Sequence, residues 1–156
     1  MNKLLLIYSL ILFLPSCQIL RENLNIDISE KKDDLNKIYL YCYQKIYGES
    51  GKDKNVPMAL PLCQKAANAG VANAQVLLGE IYLYGDGVKR DLLKAYGWFS
   101  QAALQDHYHA QFMLFVMWDD FKFKGISKTA AIDWLNKSSA SGYGRAINKL
   151  VDLNEK

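Results

Sequence analysis

The chain is short of the residues that usually announce a reaction centre or a special scaffold. It has 156 residues but only three Cys, three Pro and two His. So few cysteines exclude the dense disulfide framework of a small secreted domain. The two histidines, His107 and His109, are by themselves too few ligands for zinc, and no Cys lies near them in sequence. Neither sign of charge dominates: 19 Lys and Arg stand against 16 Asp and Glu, leaving +3. A dedicated nucleic-acid binder carries a basic face or stripe, so nucleic acid is not an expected partner. There is no Gly-rich phosphate loop and no Ser-His-Asp order, so neither nucleotide chemistry nor a serine triad is indicated. No cofactor, no resident metal and no small-molecule substrate are expected, and the chain is not read as an enzyme. What is present is 51% hydrophobic and 22% charged, a balance that excludes disorder for most of the chain. The length fits one domain, since domains run to roughly 100–200 residues. Scarce proline beside ten tyrosines points to helices with aromatic packing.

The longest apolar run lies at the start. After Lys3, the stretch Leu4 to Leu14 is apolar except for Ser9 and the amphipathic Tyr8. It is too short for a spanning helix, which needs about 20 apolar residues, and it fits the roughly 7–15 residues of a signal-peptide core. The run ends in Leu14-Pro15-Ser16-Cys17, which resembles the bacterial lipobox. That resemblance implies a signal peptide over 1–16, cleavage before Cys17, and acyl chains on Cys17 that hold the protein to a membrane by about 0.8 kcal/mol per buried methylene. An ordinary secretory signal and an uncleaved anchor are the alternatives. Gln18 in place of Asp after the Cys implies, by the same resemblance, the outer membrane and a periplasm-facing protein in an oxidising compartment. Residues 17–34 read as a tether, because Ser29-Glu30-Lys31-Lys32-Asp33-Asp34 has no apolar face. Ser29-x-x-Lys32 shares its spacing with penicillin-recognising enzymes, but no Ser-Asp-Asn or Lys-Thr-Gly accompanies it.

From about residue 35 the chain repeats with a period of 36. Ala74-Gln75 aligns with Ala110-Gln111, Leu78 with Leu114, Tyr82 with Trp118, and Trp98 with Trp134. Ala59, Ala95 and Ala131 share one register, and Ala66-Ala67 aligns with Ala102-Ala103. Gly70 meets Gly142 after two shifts. Each unit reads as two helices. Ala74, Leu78, Ile81 and Tyr82 form the stripe of a first helix, Gly85-Asp86-Gly87 breaks it, and Asp91 caps a second helix. The second helix carries Ala95, Trp98, Phe99, Ala102 and Ala103. One pair cannot cover its own apolar face, so neighbours must stack.

The stretch from Ala72 to Ala103 contains Ala-Asn-Ala-Gln-Val-Leu-Leu-Gly-Glu-Ile-Tyr, Tyr-Gly-Asp-Gly-Val, Asp91, Lys94-Ala95 and Trp98-Phe99. It resembles the Sel-one-like repeat, a tetratricopeptide-related α/α repeat. The resemblance covers Leu35 to Leu150 and implies an all-α fold: a short α/α superhelix, or solenoid, of about three 36-residue helix-turn-helix repeats plus a C-terminal capping helix, within a repeat domain over 35–153. Phe115 replaces Gly79, and Phe121-Lys122-Phe123 replaces Gly85-Asp86-Gly87. In the first unit the same shift puts Tyr43 and Glu49 at those places. Phe115 is expected to push two helices apart or to fill a gap.

The 36-residue shift places Cys42 at the Leu78 register and Cys63 at the Phe99 register, both core positions of one unit. In an oxidising compartment they are expected to bridge; two buried reduced thiols are the alternative. His107 falls where the repeat pattern often carries His in the turn. Asp119 and Asp120 point in different directions on a helix and read as a solvated or ligand-contacting patch. In related repeats the first helix of each unit lines a concave side. The resemblance therefore implies a protein-binding face at Lys37, Leu40, Gln44 and Tyr47; at Asn73, Val76, Glu80, Leu83 and Tyr84; at His109, Phe112, Val116, Asp119 and Asp120; and at Arg145 and Asn148. That Leu83, Phe112 and Val116 are core residues is the alternative. Aromatic and aliphatic groups ringed by charge suit a protein partner. The expected function is protein binding, either as an envelope adaptor or as an immunity protein that neutralises a secreted toxin. The alternatives are a β-lactam-binding or β-lactam-hydrolysing enzyme of the cysteine-rich repeat branch, and a structural peptidoglycan-associated protein.

Overall fold

The computed structural model describes residues 33–48 and 55–155. They contain seven helices and no strand: α1 (33–47), α2 (Val56–Asn68), α3 (Ala72–Tyr84), α4 (Leu92–Ala103), α5 (Tyr108–Asp119), α6 (Lys128–Ala140) and α7 (Gly144–Asn154). None of them is long and apolar enough to cross a membrane. Two compact units divide the chain at Lys37 and Ile38. In the first, Lys37 pairs with Asp34 at 3.2 Å. The lipobox with Cys17 and the Ser29-x-x-Lys32 spacing lie outside the described residues.

The unit from Ile38 onward is a stack of three helix pairs, α1/α2, α3/α4 and α5/α6, closed by α7. Its caps repeat with the sequence. Asn55, Asp91 and Ser127 stand 36 residues apart, and each side chain accepts a hydrogen bond from the backbone N–H three residues on, at 3.0–3.2 Å. Such caps satisfy amides that the first helical turn leaves without partners. The turns between units repeat as well. Val71, His107 and Tyr143 each donate a backbone bond to Ala66, Ala102 and Ser138 respectively, at 3.1–3.2 Å. The residue before each donor is left-handed: Gly70 at φ 90°, Asp106 at φ 58° and Gly142 at φ 82°. Glycine suits such a turn because it has no Cβ to clash; Asp106 adopts the conformation with a side chain.

Units are tied together by the Ala-Gln pairs of α3 and α5. Gln75 donates to the Ala67 carbonyl at 3.1 Å, and Gln111 repeats the bond to Ala103 at 3.3 Å. Both glutamines are buried, and a buried amide without such a partner would be destabilising.

Within a unit, spacing between the two helices is set by one facing pair of positions. In the second unit the pair is Gly79 and Phe99: a Cβ on Gly79 would lie 2.5 Å from the Phe99 ring. In the third unit the same places hold Phe115 and Leu135, both buried. The bulk has changed sides, so Phe115 fills the space that Phe99 fills one unit earlier. In the first unit the pair is Cys42 and Cys63, joined as a disulfide with Cα atoms 5.5 Å apart.

The disulfide corrects one register. Cys42 faces α2 as Gly79 faces α4, so it occupies the Gly79 place and not the Leu78 place. Gly48 then corresponds to Gly85, in place of Glu49. Both glycines are left-handed, at φ 65° and 76°, and both donate to the carbonyl four residues back, Gln44 and Ile81. The offset is thus 37 in the first helix and 36 in the second. The first unit carries one more residue between its Gly and its cap: six between Gly48 and Asn55, against five between Gly85 and Asp91. A one-residue slip turns a helix face by about 100°, which changes which residues reach the inner surface.

Candidate partner-binding groove

The inner surface is built by α1, α3 and α5, with Tyr143 at the start of α7. Together they enclose a hollow of about 440 Å³. One wall is an aromatic stripe, Tyr39, Tyr43 and Tyr47, spaced four apart on α1. The rings of Tyr43 and Tyr47 lie 4.7 Å apart, and both side chains are more than 40% exposed. The opposite wall carries Tyr108 and Tyr143, whose ring centroids are 5.1 Å apart. Asn73, Val76, Leu77 and Glu80 of α3 form the floor.

A chain of hydrogen bonds crosses the floor. The Tyr47 hydroxyl donates to Glu80 Oε2 at 2.9 Å. His109 Nε2 lies 2.9 Å from Glu80 Oε1, and its Nδ1 lies 2.9 Å from the Tyr143 hydroxyl. Tyr47, His109 and Tyr143, from α1, α5 and the start of α7, are fixed in this way around the Glu80 carboxylate of α3. Burial pushes the Tyr47 phenol well above its ordinary value, and the nearby Glu80 charge pushes the same way. Tyr39 and Tyr84 are raised for the same first reason. These phenols are neutral donors and apolar faces.

His107 lies two residues before His109, at the N-cap of α5. Its Nδ1 accepts the Ala110 N–H at 3.4 Å as the cap of α5, so Nε2 bears the proton and donates to Asn73 Oδ1 at 2.9 Å. Burial lowers its pKa below the ordinary value, and His109 adds to the shift. His107 thereby has a capping role as well as a place on the groove wall. Among the described residues, no three His, Cys, Asp or Glu side chains cluster as a metal would require.

A second hollow, of about 350 Å³, continues toward α7 between Tyr84, Phe112, Val116, Asp120 and Arg145. The Arg145 guanidinium lies 5.2 Å above the Phe112 ring. Lys149 pairs with Asp119 at 2.8 Å, and that hydrogen bond raises the lysine pKa. Asp119 is therefore an ion-pair partner tying α5 to α7, whereas Asp120 borders the hollow.

The expected face thus falls into three groups. Tyr47, Asn73, Val76, Glu80, Tyr84, His109, Phe112, Val116, Asp120 and Arg145 line the two hollows. Leu83 does not: it is completely buried, because it points into the stack where Ile46 points one unit earlier. Leu40 and Gln44 are exposed but lie off the groove. The extra residue of the first unit rotates Tyr39 and Tyr43 into their place. Asn148 is likewise exposed and lines neither hollow, nor does Asp119, which is held by Lys149. Tyr39, Tyr43, Tyr108 and Tyr143 are groove residues that the 36-residue alignment missed. For Tyr39 and Tyr43 the signal was the four-residue spacing of the α1 tyrosines, which defines one helix face without any repeat alignment.

Stacked helix pairs with a lined inner face make this an α/α repeat solenoid of the tetratricopeptide-related class. The Sel1 repeat family matches residues 38–71, 72–107 and 109–143. These segments take in more than half of the chain, which belongs to the Sel1 repeat family. A Sel1 repeat protein from Oxalobacter formigenes, known from a crystal structure, superposes with a TM-score of 0.65 at 28% identity, over 81% of this chain and 96% of that one. The crystal structure of c5321, a protective antigen present in uropathogenic Escherichia coli strains and displaying an SLR fold, superposes with a TM-score of 0.70 at 25% identity. That match takes in 78% of this chain and 26% of the other. Protein sel-1 homolog 2 from Rattus norvegicus and from Mus musculus are each 44% identical over 63 residues, 40% of this chain. The match spans only 9% of the length of these curated relatives. Sel1 repeats commonly mediate protein–protein interaction, and proteins built from them are typically non-enzymatic scaffolds.

Proposed function

We propose that the protein is a lipid-anchored binding protein of the bacterial outer membrane, facing the periplasm, which holds one partner protein in the groove described above. The observation that carries the binding reading is the tyrosine-lined hollow around Glu80. Large rigid aromatic side chains, half-exposed and held in place, are the groups that dominate binding energy at protein interfaces. The order of segments is a signal over 1–16, a tether over 17–34 and the repeat domain over 35–153, with Cys17 as the acylated residue. The Cys42–Cys63 disulfide supports an oxidising compartment, since such bonds persist outside the reducing cytosol.

The partner is an envelope protein or a secreted toxin. An adaptor and an immunity protein use the same groove, and co-expression with a toxin encoded beside it separates the two. The anchor is tested by feeding cells a radiolabelled fatty acid. Label on the wild-type chain, and none on Cys17→Ala, is the expected result; equal label on both would remove the anchor. The groove is tested by capturing the partner with wild type and with Tyr43→Ala/Tyr47→Ala. Undiminished capture by the double variant would remove it.

A further inference from the structure

The fixed charge lining the tyrosine-walled hollow is one-sided. The floor of the hollow holds one carboxylate, Glu80, and its walls hold five phenol rings. Among the described residues no Lys or Arg lines it. Its titratable nitrogen groups are the imidazoles of His107 and His109. Arg145 and Lys149 border the adjoining hollow, which shares Glu80 and His109 with this one, and there they engage Phe112 and Asp119. Glu80 accepts one hydrogen bond on each oxygen, and a carboxylate has about four acceptor positions, so each oxygen retains one. Its side chain is 23% exposed, enough to be reached from the groove.

An apolar group entering here would strip water from a charged carboxylate without replacing the lost interaction, which is strongly unfavourable. An acidic group would be repelled. A cation gains twice: an ion pair with Glu80 in a partly dehydrated hollow, and the electron-rich faces of the tyrosine rings. We propose that this hollow is a receptor for one arginine or lysine side chain projecting from the partner protein, with Glu80 as its counter-ion and Tyr39, Tyr43, Tyr47 and Tyr108 as its aromatic walls. The idea rests on the groove being the partner-binding face. It adds the chemical class of the residue that the partner must insert. Glu80 is already held by Tyr47 and His109, so little ordering is left for the moment of binding.

The test uses the full chain, labelled with nitrogen-15, and three acetylated, amidated tripeptides: Gly-Arg-Gly, Gly-citrulline-Gly and Gly-Glu-Gly. Citrulline keeps the shape of arginine and removes its charge. The arginine peptide is expected to shift the amide signals around Tyr43, Glu80 and Tyr143, saturating at millimolar concentration. The citrulline peptide is expected to bind about tenfold more weakly and the glutamate peptide not at all. Glu80→Gln is expected to erase the preference for arginine over citrulline, and Tyr43→Leu to weaken arginine binding about fivefold. Those losses match the usual size of ion-pair and cation–π contributions at partly buried sites. Equal binding of arginine and citrulline by the wild type would overturn the proposal, and this comparison needs no variant to fold. Photo-crosslinking from Tyr43 to a partner protein distinguishes the two levels. Crosslinks without an arginine preference would leave the groove as the binding face and remove the cation receptor. Absence of both would remove the groove with it.

Discussion

Gly79 is the point at which the packing argument can be pressed hardest. In Gly79→Ala the new Cβ would lie 2.5, 2.7 and 2.8 Å from three atoms of the Phe99 ring. Phe99 is fully buried, so the ring has nowhere to swing. Overpacking of this kind typically costs about 1–3 kcal/mol, and the contacts place it in the upper half of that range. Alanine in a helix interior returns about 1 kcal/mol relative to glycine. The net expectation is a loss of about 1–2 kcal/mol. Gly97→Ala is the control: Gly97 lies inside a helix too, α4, and a Cβ there meets nothing within 4 Å, so a gain of up to about 1 kcal/mol is expected. The partner change is Phe99→Leu, which copies the Leu135 opposite Phe115. Alone it leaves a cavity and costs about 1 kcal/mol. Combined with Gly79→Ala it is expected to cost about 1–2 kcal/mol less than the sum of the single changes. Urea unfolding followed by circular dichroism measures all four midpoints and slopes. Strict additivity, or a stabilised Gly79→Ala, would refute the claim that this close approach sets the helix spacing.

Three further outcomes follow from the same structure. Cys42→Ala/Cys63→Ala opens a loop of sequence separation 21 and is expected to lose about 3 kcal/mol, with faster amide exchange in α1 than in α5 because repeat units unfold from an end; unchanged exchange in α1 would contradict it. The lowered pKa of His107 means that the unfolded chain binds its proton first, below about pH 6.5. Stability is therefore complete above that pH and falls as pH drops toward the folded value. His107→Asn keeps a capping oxygen and is expected to flatten the melting temperature between about pH 7 and about pH 5.5, whereas an unaltered slope would show that His107 does not set it. Asp106→Gly puts glycine where Gly70 and Gly142 already sit at positive φ and is expected to gain about 0.5 kcal/mol in urea unfolding; a loss would mean that the Asp106 side chain has a role of its own.

The architecture was legible because its signals are local and repeated. The caps Asn55, Asp91 and Ser127 recur every 36 residues in all three units, and the Ala-Gln pair recurs in the second and third, each meeting the same need wherever it stands. Even Phe115 was readable as a departure, although only the opposite Leu135 shows how it is absorbed. The groove was less legible because it depends on helix rotation. One extra residue before Asn55 moved Leu40 and Gln44 off the inner face and Tyr39 and Tyr43 onto it, and put Cys42 at the Gly79 place. Leu83 was misplaced for another reason. An apolar residue between two groove positions reads the same whether it faces the groove or the next helix, and only the stack decides. The chain from Tyr47 through Glu80 and His109 to Tyr143 joins residues nearly a hundred positions apart, and no spacing in the sequence announces it.

The inner surface as the binding face is tested most directly by a photo-reactive phenylalanine analogue placed at Tyr43, inside the groove, and separately at Leu93, exposed on α4. Irradiation in intact cells that express the full chain is expected to link one discrete protein to the Tyr43 variant and none to the Leu93 variant. Adducts from Leu93 with none from Tyr43 would place the partner on the outer helices and contradict the groove.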